Sequence, residues 1–312
     1  MESHTEKAYA KVNLFLDILG KRDDGYHDIY TIMQLVTLYD EVEITLTHND
    51  DINLTVKNAD LGIPKEKNLA YIAAKAFYEN LNKTLLRVSS RADITITKNI
   101  PAAAGLAGGS ADAAAVLRGL NVIYGKPYTK EQLCEIGMTI GSDVPFCIIG
   151  GTKVCQGKGD MKLDIRGLRY YRILIACNEQ KVSTARQYQR LDEIYDDFKD
   201  YPINMRFTET VNALMNHEGR RALNSMYNIF ENLYYENEGI FKIKRIMYEN
   251  NAKLAMLCGS GPAVFGVFDD FVYMEDAQAA LEKEGIKSYP CQMINLEYEY
   301  LIPGRDPTAT AF

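Results

Sequence analysis

A glycine-rich segment between a predicted strand and a predicted helix places the strongest constraint on the fold. The segment runs Pro-Ala-Ala-Ala-Gly-Leu-Ala-Gly-Gly-Ser-Ala over Pro101–Ala111. Before it, Asp93–Thr97 alternates polar and apolar residues, which predicts a short strand. After it, Asp112–Tyr124 carries apolar residues at helical spacing, and Gly125 supplies a C-terminal stop. The chain is therefore expected to build a strand–loop–helix unit around this segment.

The loop of this unit has the composition of an anion site. Glycine lets a backbone approach a ligand closely, and the unpaired N–H groups at a helix start attract negative charge. Ser110 either caps the helix or donates to a phosphate oxygen. The segment matches neither G-x-x-x-x-G-K-[ST] nor G-x-G-x-x-G. The alternative is a glycine-rich connection that binds no ligand.

Length, charge and cysteine content limit the class of protein. The chain has 312 residues, a net charge of -7 and a pI of about 5.3. This length favours two domains, and the acidity argues against a nucleic-acid scaffold. The six cysteines form no C-x-x-C pair, the N-terminus is polar, and no apolar run reaches membrane-spanning length. We expect buried free thiols and a cytoplasmic protein that binds neither nucleic acid nor membrane.

The N-terminal part of the chain predicts a strand with one apolar and one mixed face. Residues alternate over Ala8–Ile18, which is the period of a half-buried strand. Lys11 and Asn13 share the face opposite the apolar one, with backbone positions ~7 Å apart. They either line a cleft or are solvated residues on an exposed sheet face.

Three other short motifs each allow two interpretations. Tyr26-His27 follows Gly25 in a polar loop and suits either recognition of a flat base or an ordinary loop. Asp143 precedes Val-Pro, so it is either an N-cap or a catalytic carboxylate. Gly259–Pro262 is either a turn between two strands or a loop that faces phosphate.

The rest of the chain mixes strands and helices, which predicts an α+β protein with two lobes. The predicted strands are Glu41–Thr47, Ile52–Val56, Tyr171–Cys177, Ala252–Cys258, Ala263–Phe268 and one within Tyr289–Pro303, and the predicted helices are Asn68–Leu81, Thr129–Thr139, Thr184–Phe198, Phe207–Asn216, Phe241–Asn250 and Glu275–Glu284. The glycine cluster Gly150–Gly159 marks the domain boundary.

The motifs become specific when they are taken in order along the chain. The quoted segments are Ala8-Tyr-Ala-Lys-Val-Asn-Leu-Phe-Leu, Gly25-Tyr-His, Ile100-Pro-Ala-Ala-Ala-Gly-Leu-Ala-Gly-Gly-Ser-Ala-Asp-Ala-Ala, Gly141-Ser-Asp-Val-Pro-Phe and Gly259-Ser-Gly-Pro-Ala-Val-Phe. Together they resemble the GHMP kinases, named for galactose, homoserine, mevalonate and phosphomevalonate. The resemblance spans residues 8 to about 268.

The resemblance implies a two-lobed GHMP kinase fold with a deep cleft between the lobes. The N-terminal lobe, residues 1–160, is then similar to ribosomal protein S5 domain 2 and binds ATP. The C-terminal lobe, residues 161–312, is then ferredoxin-like. A final strand near residues 290–303 is expected to pack back on the N-terminal lobe.

The resemblance also implies a role for individual residues. The ATP-binding residues it implies are Pro101, Ala102, Ala103, Ala104, Gly105, Leu106, Ala107, Gly108, Gly109, Ser110 and Ala111. It implies Asp143 as general base, with Lys11 as the second catalytic residue. The implied substrate-binding residues are Asn13, Tyr26, His27 and Thr184. Tyr26 would stack on cytosine and His27 would hydrogen-bond to it, while Asn13 and Thr184 would lie near a methylerythritol group.

The implied ligands are ATP, Mg²⁺ and a small-molecule acceptor, a cytidine diphosphate-linked methylerythritol whose diphosphate Lys21 approaches. Two departures from the family pattern bear on the chemistry. The serine pair of galactose- and mevalonate-type relatives is Gly108-Gly109 here. The serine that binds magnesium in those relatives is therefore absent or displaced to Ser110, and no protein ligand for magnesium is assigned. Asn228-Ile-Phe-Glu231 has Ile229 where the family carries Asp, a change expected to affect local structure.

Two rival functions remain open from the sequence. One is a GHMP kinase for another alcohol, such as mevalonate or a sugar, for which Tyr26-His27 would have no base to recognise. The other is a nucleotide-binding or regulatory protein without catalysis, which the presence of both Lys11 and Asp143 argues against.

Overall fold

The computed structural model describes residues 2–48, 51–83, 91–157, 160–165, 167–168, 170–177, 183–234 and 239–295. These residues divide into two compact units. The first unit comprises residues 1–10, 38–102 and 107–149, and the second comprises residues 11–37, 103–106 and 150–312. The units interleave along the chain, and the predicted boundary near residue 160 stays a prediction.

Two long strands contribute residues to both units, β1 (Ser3–Lys21) and β2 (His27–Thr47). The other elements of the first unit are β3 (Asn53–Lys57), α1 (Leu69–Lys83), β4 (Arg91–Thr97), α2 (Gly108–Ile123), α3 (Lys130–Met138) and α4 (Val144–Ile149). The C-terminal part of β2 pairs antiparallel with β4, and β4 pairs parallel with β3. Helix α2 packs against α1 and α4.

The second unit contains the remaining elements. They are β5 (Thr152–Gly157), β6 (Asp160–Ile165), β7 (Arg172–Cys177), α5 (Thr184–Ile194), α6 (Arg206–Met215), α7 (Gly219–Ser225), β8 (Tyr227–Asn228), α8 (Gly239–Glu249), β9 (Leu254–Leu257), β10 (Val264–Phe268), α9 (Phe271–Lys283) and β11 (Lys287–Cys291). The N-terminal part of β2 pairs antiparallel with β5, and β1 pairs parallel with β8.

A separate four-stranded antiparallel sheet in the second unit has the order β11-β7-β10-β9. Strands β7 and β10 are apolar runs buried along most of their length, as expected for central strands. Helices α8 and α9 pack on this sheet through Ile243, Met247 and Leu281. The order β7-helices-β9-β10-α9-β11 along the chain is the split βαβ arrangement of ferredoxin-like domains. The predicted α+β class is confirmed.

The half-buried pattern predicted for the first strand is wrong, because β1 is buried on both faces from Ala8 to Ile18. The apolar face enters the core, and other residues of the second unit contact Phe15 and Asp17 on the mixed face. Phe15 contacts the Phe207 ring edge-on, and the Asp17 carboxylate accepts hydrogen bonds from Tyr201 Oη and Asn204 Nδ2. Burial raises the pKa of Asp17, which its hydrogen bonds counteract.

Most element predictions are confirmed within a few residues, with three informative differences. Strand β2 begins at His27, far before the predicted start at Glu41. Helix α2 begins at Gly108, inside the glycine-rich segment, and not at Asp112. Helix α5 ends at Ile194, because a 3-10 turn with positive φ at Asp196, Asp197 and Phe198 follows it. Of the predicted final strand, the structure describes Lys287–Cys291, and residues 296–303 lie outside the described residues.

The prediction of buried free thiols is confirmed for four of the six cysteines. All six cysteines are free thiols; Cys134 and Cys177 are partly exposed and the other four are buried. Within the described ranges, no helix is both long enough and apolar enough to cross a membrane.

Candidate active site

The glycine-rich segment folds into a loop whose backbone alternates in handedness. The φ angle is positive at Ala103, Gly105 and Ala107, at 53°, 82° and 57°. An alanine held in the left-handed region costs roughly 1 kcal/mol relative to glycine, so the surroundings impose this conformation. Alternation of right- and left-handed residues is typical of backbone concavities that bind anions.

The carbonyl groups in the middle of the loop are all held by the second unit. Ala104 O accepts from Ala263 N at 3.2 Å, Gly105 O accepts from Lys11 Nζ at 3.0 Å, and Leu106 O accepts from Lys11 N at 3.1 Å. These three bonds fix residues 103–106 on one side. The three hydrogen bonds stabilise the positive φ angles of the loop.

The amide groups of the same loop have no acceptor among the described residues. Among the residues that the structure describes, no backbone N–H from Ala102 to Ser110 donates a hydrogen bond to a protein acceptor. Helix α2 begins in this run, with Ala107 as its N-cap and no side-chain cap. Ser110 lies within the first turn of α2 and does not cap it. A helix start without a cap, preceded by unpaired amides, is suited to bind a polyanion.

A tight turn of the second unit, at Cys258 and Gly259, packs against Gly105 of the loop. Gly105 packs so closely that an added Cβ would overlap the carbonyl oxygen of Cys258. An added Cβ at Gly259 would stand 3.0 Å from Gly105 O and 3.4 Å from Lys11 Nζ. Asn228 Nδ2 donates to both Leu257 O and Gly259 O at 2.8 Å, which holds the turn in place. The predicted Gly259–Pro262 turn therefore contacts both Lys11 and the glycine-rich segment.

Lys11 and Asn13 form a buried polar chain and not a solvated surface pair. Lys11 Nζ donates to Asn13 Oδ1 at 2.8 Å, and Asn13 Nδ2 donates to Thr31 Oγ1 at 2.8 Å. Thr31 Oγ1 donates onward to Phe15 O at 2.8 Å. Since Lys11 and Asn13 are only 5% and 3% exposed, the interpretation as solvated residues is wrong. The chain fixes the orientation of the Asn13 amide and of the ammonium.

A buried ionic cluster lies under the start of α2 in the first unit. Lys98 Nζ contacts Asp40 Oδ2, and it donates to Asp112 Oδ2 at 2.7 Å. An added Cβ at Gly108 would stand 3.4 Å from Lys98 Nζ. Burial raises the pKa of Asp112 to about 7, against the attraction of Lys98. The second oxygen of Asp40 accepts hydrogen bonds from Asn99 N and Ile100 N. The cluster therefore connects α2 to the residues between β4 and the glycine-rich segment.

Asp143 lies in the first unit, directly before α4. Its carbonyl accepts from Cys147 N at 3.0 Å, and Pro145 lies within the first turn, which is the local geometry of a helix start. An added Cβ at Gly141 would stand 4.0 Å from Ser110 Oγ, so the Gly-Ser-Asp segment adjoins the first turn of α2. The structure thus brings Asp143's segment and the glycine-rich segment together within the first unit.

The two residues predicted to recognise a base differ in their surroundings. Tyr26 is 63% exposed, at the end of the turn between β1 and β2. His27 begins β2, and its side chain is only 6% exposed. His27 Nε2 lies 2.6 Å from Asp192 Oδ1, and its ring stacks on Tyr188 at 4.7 Å. His27 is therefore a fixed group and not a mobile loop residue.

Helix α5 carries the predicted substrate-binding residue Thr184, followed at intervals of four by Tyr188 and Asp192. Thr184 Oγ1 lies 3.0 Å from Ser260 Oγ, which connects this predicted residue to the Gly259–Pro262 turn. Asp192 Oδ2 contacts Lys21 Nζ at 2.9 Å. Lys21 also pairs with Asp197 at 2.6 Å, and hydrogen bonds to these two carboxylates raise its pKa.

Sequence patterns did not single out several residues that organise the site. Asp192 and Tyr188 follow Thr184 at helical spacing, so an i, i+4, i+8 search from that predicted residue would have found them. Asn228 and Glu231 were noted only as a variant family segment. Glu231 Oε1 accepts from Leu257 N at 2.8 Å, beside the bonds of Asn228. Lys98 gave no signal, since its partners are distant in sequence.

Two parts of the chain match families of known proteins. Residues 68–151 match the family described as GHMP kinases N terminal domain. Residues 212–287 match the family described as GHMP kinases C terminal. The first match contains the glycine-rich segment and Asp143, and the second contains the Gly259–Pro262 turn.

Relatives named 4-diphosphocytidyl-2-C-methyl-D-erythritol kinase are similar over most of the chain. The relative from Caldicellulosiruptor bescii is 42% identical over 264 residues, 84% of this chain and 88% of its own length. The relative from Caldicellulosiruptor saccharolyticus is 41% identical over 291 residues, 92% of this chain and 96% of its own length. The relative from Clostridioides difficile is 41% identical over 286 residues, with 91% of each chain covered.

Solved structures with this fold include kinases of several substrates. A crystal structure of 4-(cytidine 5'-diphospho)-2C-methyl-D-erythritol kinase has a TM-score of 0.72 and 25% identity, covering 93% of this chain and 99% of its own. The homoserine kinase from Cytophaga hutchinsonii has a TM-score of 0.72 at 16% identity, covering 95% and 96%. At that identity the second likeness shows the fold alone.

Proposed function

The chain belongs to the GHMP kinase family, among the 4-diphosphocytidyl-2-C-methyl-D-erythritol kinases, and we propose how its residues perform that reaction. It is an ATP-dependent kinase of the non-mevalonate isoprenoid pathway. The reaction transfers the γ-phosphoryl group of ATP to the 2-hydroxyl of 4-diphosphocytidyl-2-C-methyl-D-erythritol. The products are ADP and the 2-phosphate of the acceptor.

The unpaired amides from Ala102 to Ser110 are the observation that carries the proposal. Buried or clustered N–H groups need acceptors, and the triphosphate of ATP supplies several. The loop N–H groups and the start of α2 stabilise charge on the transferring phosphoryl group. In this proposal the nucleotide binds to backbone groups. A segment rich in glycine and alanine suits this role, because small side chains leave the backbone accessible.

Mg²⁺ is proposed to enter as part of the MgATP substrate. This ion usually keeps several water ligands and binds substrate phosphates together with one or two carboxylates. Within the described ranges, no group of three or more His, Cys, Asp or Glu side chains is arranged to hold a metal. The Lys98 ammonium on Asp112 makes that carboxylate a poor ligand for a cation.

Asp143 is the proposed general base. An alcohol is a weak nucleophile at neutral pH, and a positioned carboxylate accepts its proton as the O–P bond forms. Lys11 is the second proposed catalytic residue and supplies a positive charge to the reaction. The bonds of Lys11 to Asn13 Oδ1 and Gly105 O fix its ammonium, so its charge is in place before substrate binds.

The acceptor is proposed to contact residues of the second unit. His27, held by Asp192 and Tyr188, hydrogen-bonds to the cytosine base, and the exposed Tyr26 stacks on it. Asn13 and Thr184 contact the methylerythritol part, and Lys21 approaches the diphosphate. The Asn13 amide and the Thr184 hydroxyl can each donate and accept hydrogen bonds, as the hydroxyl groups of a polyol require. Such a small-molecule substrate is consistent with a cytoplasmic enzyme that binds neither nucleic acid nor membrane.

An acceptor panel tests this function. ADP release is measured with 4-diphosphocytidyl-2-C-methyl-D-erythritol, mevalonate, homoserine, galactose and no acceptor, at equal concentrations. The expected result is ADP release only with the cytidylyl acceptor. Faster release with another alcohol would support the rival GHMP kinase, and ATP binding without ADP release from any mixture would support a protein without catalysis.

A further inference from the structure

We infer that Asp192 is a positioning residue that fixes which ring nitrogen of His27 carries a proton, and thereby selects the cytosine base by its amino group. The inference rests on the proposed function, in which His27 contacts the base. It goes beyond that function because it assigns a specificity-determining role to a residue on α5 that the reaction does not otherwise use.

The geometry around His27 leaves its ring one orientation. Nε2 lies 2.6 Å from Asp192 Oδ1, and the two side chains are 6% and 12% exposed. One face of the ring stacks on Tyr188, with 4.7 Å between centroids and 22° between planes. Phe198 contacts the ring edge-on at 5.8 Å. A ring held on three sides cannot turn to exchange its nitrogens without breaking these contacts.

The carboxylate decides the position of the proton. An ionised Asp192 only accepts hydrogen bonds, so Nε2 must carry the proton that joins them. In a neutral imidazole the other nitrogen, Nδ1, then has a lone pair and accepts. A partner on one ring nitrogen commonly sets the role of the other in this way.

Nδ1 is available to a ligand. Among the described residues, the His27 ring contacts Asp192 through Nε2 and packs against Tyr188 and Phe198, and none of these contacts is a hydrogen bond of Nδ1. The fully buried side-chain atoms without a partner in the described ranges are Tyr78 Oη, Asp112 Oδ1 and Tyr128 Oη. Nδ1 is not one of these fully buried atoms.

An accepting Nδ1 requires a donor on the base. The only hydrogen-bond donor on the edge of an N1-linked cytosine is its 4-amino group. In the same pose, uracil places its O4 lone pairs against the lone pair of Nδ1, which leaves both acceptors unsatisfied. An unsatisfied polar group at a site of this kind costs enough to reduce kcat/KM on the order of 10- to 100-fold.

Asp192 also links base recognition to the diphosphate. Its second oxygen, Oδ2, contacts Lys21 Nζ at 2.9 Å, while Oδ1 holds His27. Lys21 has a second partner, Asp197 at 2.6 Å, which is 48% exposed and makes no hydrogen bond to His27 in the described ranges. Asp197 therefore provides a matched control, because its loss affects Lys21 and leaves the contact between Asp192 and His27 intact.

The first test is nuclear magnetic resonance of the wild-type protein, because it reports the tautomer in the unaltered site. The ¹⁵N shifts of the His27 ring, assigned by their loss in His27→Gln, show which nitrogen is protonated. We expect a proton on Nε2 and a bare Nδ1. A proton on Nδ1, in either a neutral ring or an imidazolium, would overturn the inference whatever the substrate.

The second test compares Asp192→Asn with Asp197→Asn, using the cytidylyl acceptor and its uridylyl analogue. An asparagine both donates and accepts, so Asp192→Asn should raise the population of the Nδ1–H tautomer. The preference for cytidylyl over uridylyl acceptor should fall on the order of 10- to 100-fold, with the KM for ATP unchanged. Asp197→Asn should keep the preference.

The outcomes separate the inference from the function it rests on. If the tautomer changes in Asp192→Asn and the base preference does not, the proposed contact of His27 with the base is wrong. If the tautomer does not change in a folded Asp192→Asn protein, Asp192 does not set it. An equal loss of base preference in Asp197→Asn would assign the effect to Lys21 and also overturn the inference.

Discussion

At the scale of single residues, Asp143 is the proposed general base, and Asp143→Asn is the smallest change that tests this role. The amide keeps the size of the side chain and cannot accept the hydroxyl proton. We expect turnover to fall on the order of 10²- to 10⁴-fold, while ATP binds nearly normally through the loop amides. Turnover by ADP release and ATP affinity by calorimetry measure the two effects. The control is Asp164→Asn, at a partly exposed ion pair with Lys153. Unchanged turnover in Asp143→Asn would remove Asp143 from the mechanism.

The residues of the site were predictable to different degrees. The order of motifs pointed to Lys11, Asn13, Asp143 and His27, because their residue types and spacing resemble a family pattern. The burial of Lys11 and Asn13 was not predictable from alternation, since their partners Gly105 and Thr31 lie in other segments of the chain. The orienting partners Thr31 and Asp192 were missed for the same reason.

At the scale of elements, the loop depends on the absence of a side chain at Gly105. Gly105→Ala combines a positive φ of 82° with overlap of Cys258 O. We expect the free energy of unfolding to fall by roughly 1–3 kcal/mol and the KM for ATP to rise, because the displaced loop no longer presents its amides. Thermal unfolding and steady-state kinetics measure these changes.

Gly109→Ala is the control for stability. Its added Cβ would meet only Leu69 Cδ1, at an ordinary 3.6 Å, and no positive φ is required there. This variant should unfold at the wild-type temperature. A Gly105→Ala protein as stable as Gly109→Ala would contradict the described contact between the loop and the turn at Cys258.

Secondary structure was predictable from the sequence where a segment has a clear hydrophobic period. Helix α1 and strands β9 and β10 were predicted within a few residues, because each has a clear period bounded by turn residues. The start of α2 was missed, since alanine and glycine carry no periodic signal. Ala107, as a left-handed N-cap, sets that start. The end of α5 depends on three residues with positive φ that composition does not reveal.

At the scale of the whole molecule, the α+β class and the family were predictable, and the division into compact units was not. The units exchange segments along the chain, because β1 and β2 each contribute to both and residues 103–106 belong to the second unit. Pairings between distant segments, such as β1 with β8, leave no local signal. Composition indicated only that the chain is long enough for two domains.

The nature of the product tests the central claim most directly. The protein is incubated with MgATP and an acceptor labelled with ¹³C at C2, and the mixture is followed by ³¹P and ¹³C spectroscopy. The account predicts one new phosphomonoester signal for each ADP formed, with phosphorus–carbon coupling at the C2 carbon and an intact diphosphate. Orthophosphate accumulating with unchanged acceptor, or a phosphate attached at any other position, would contradict it.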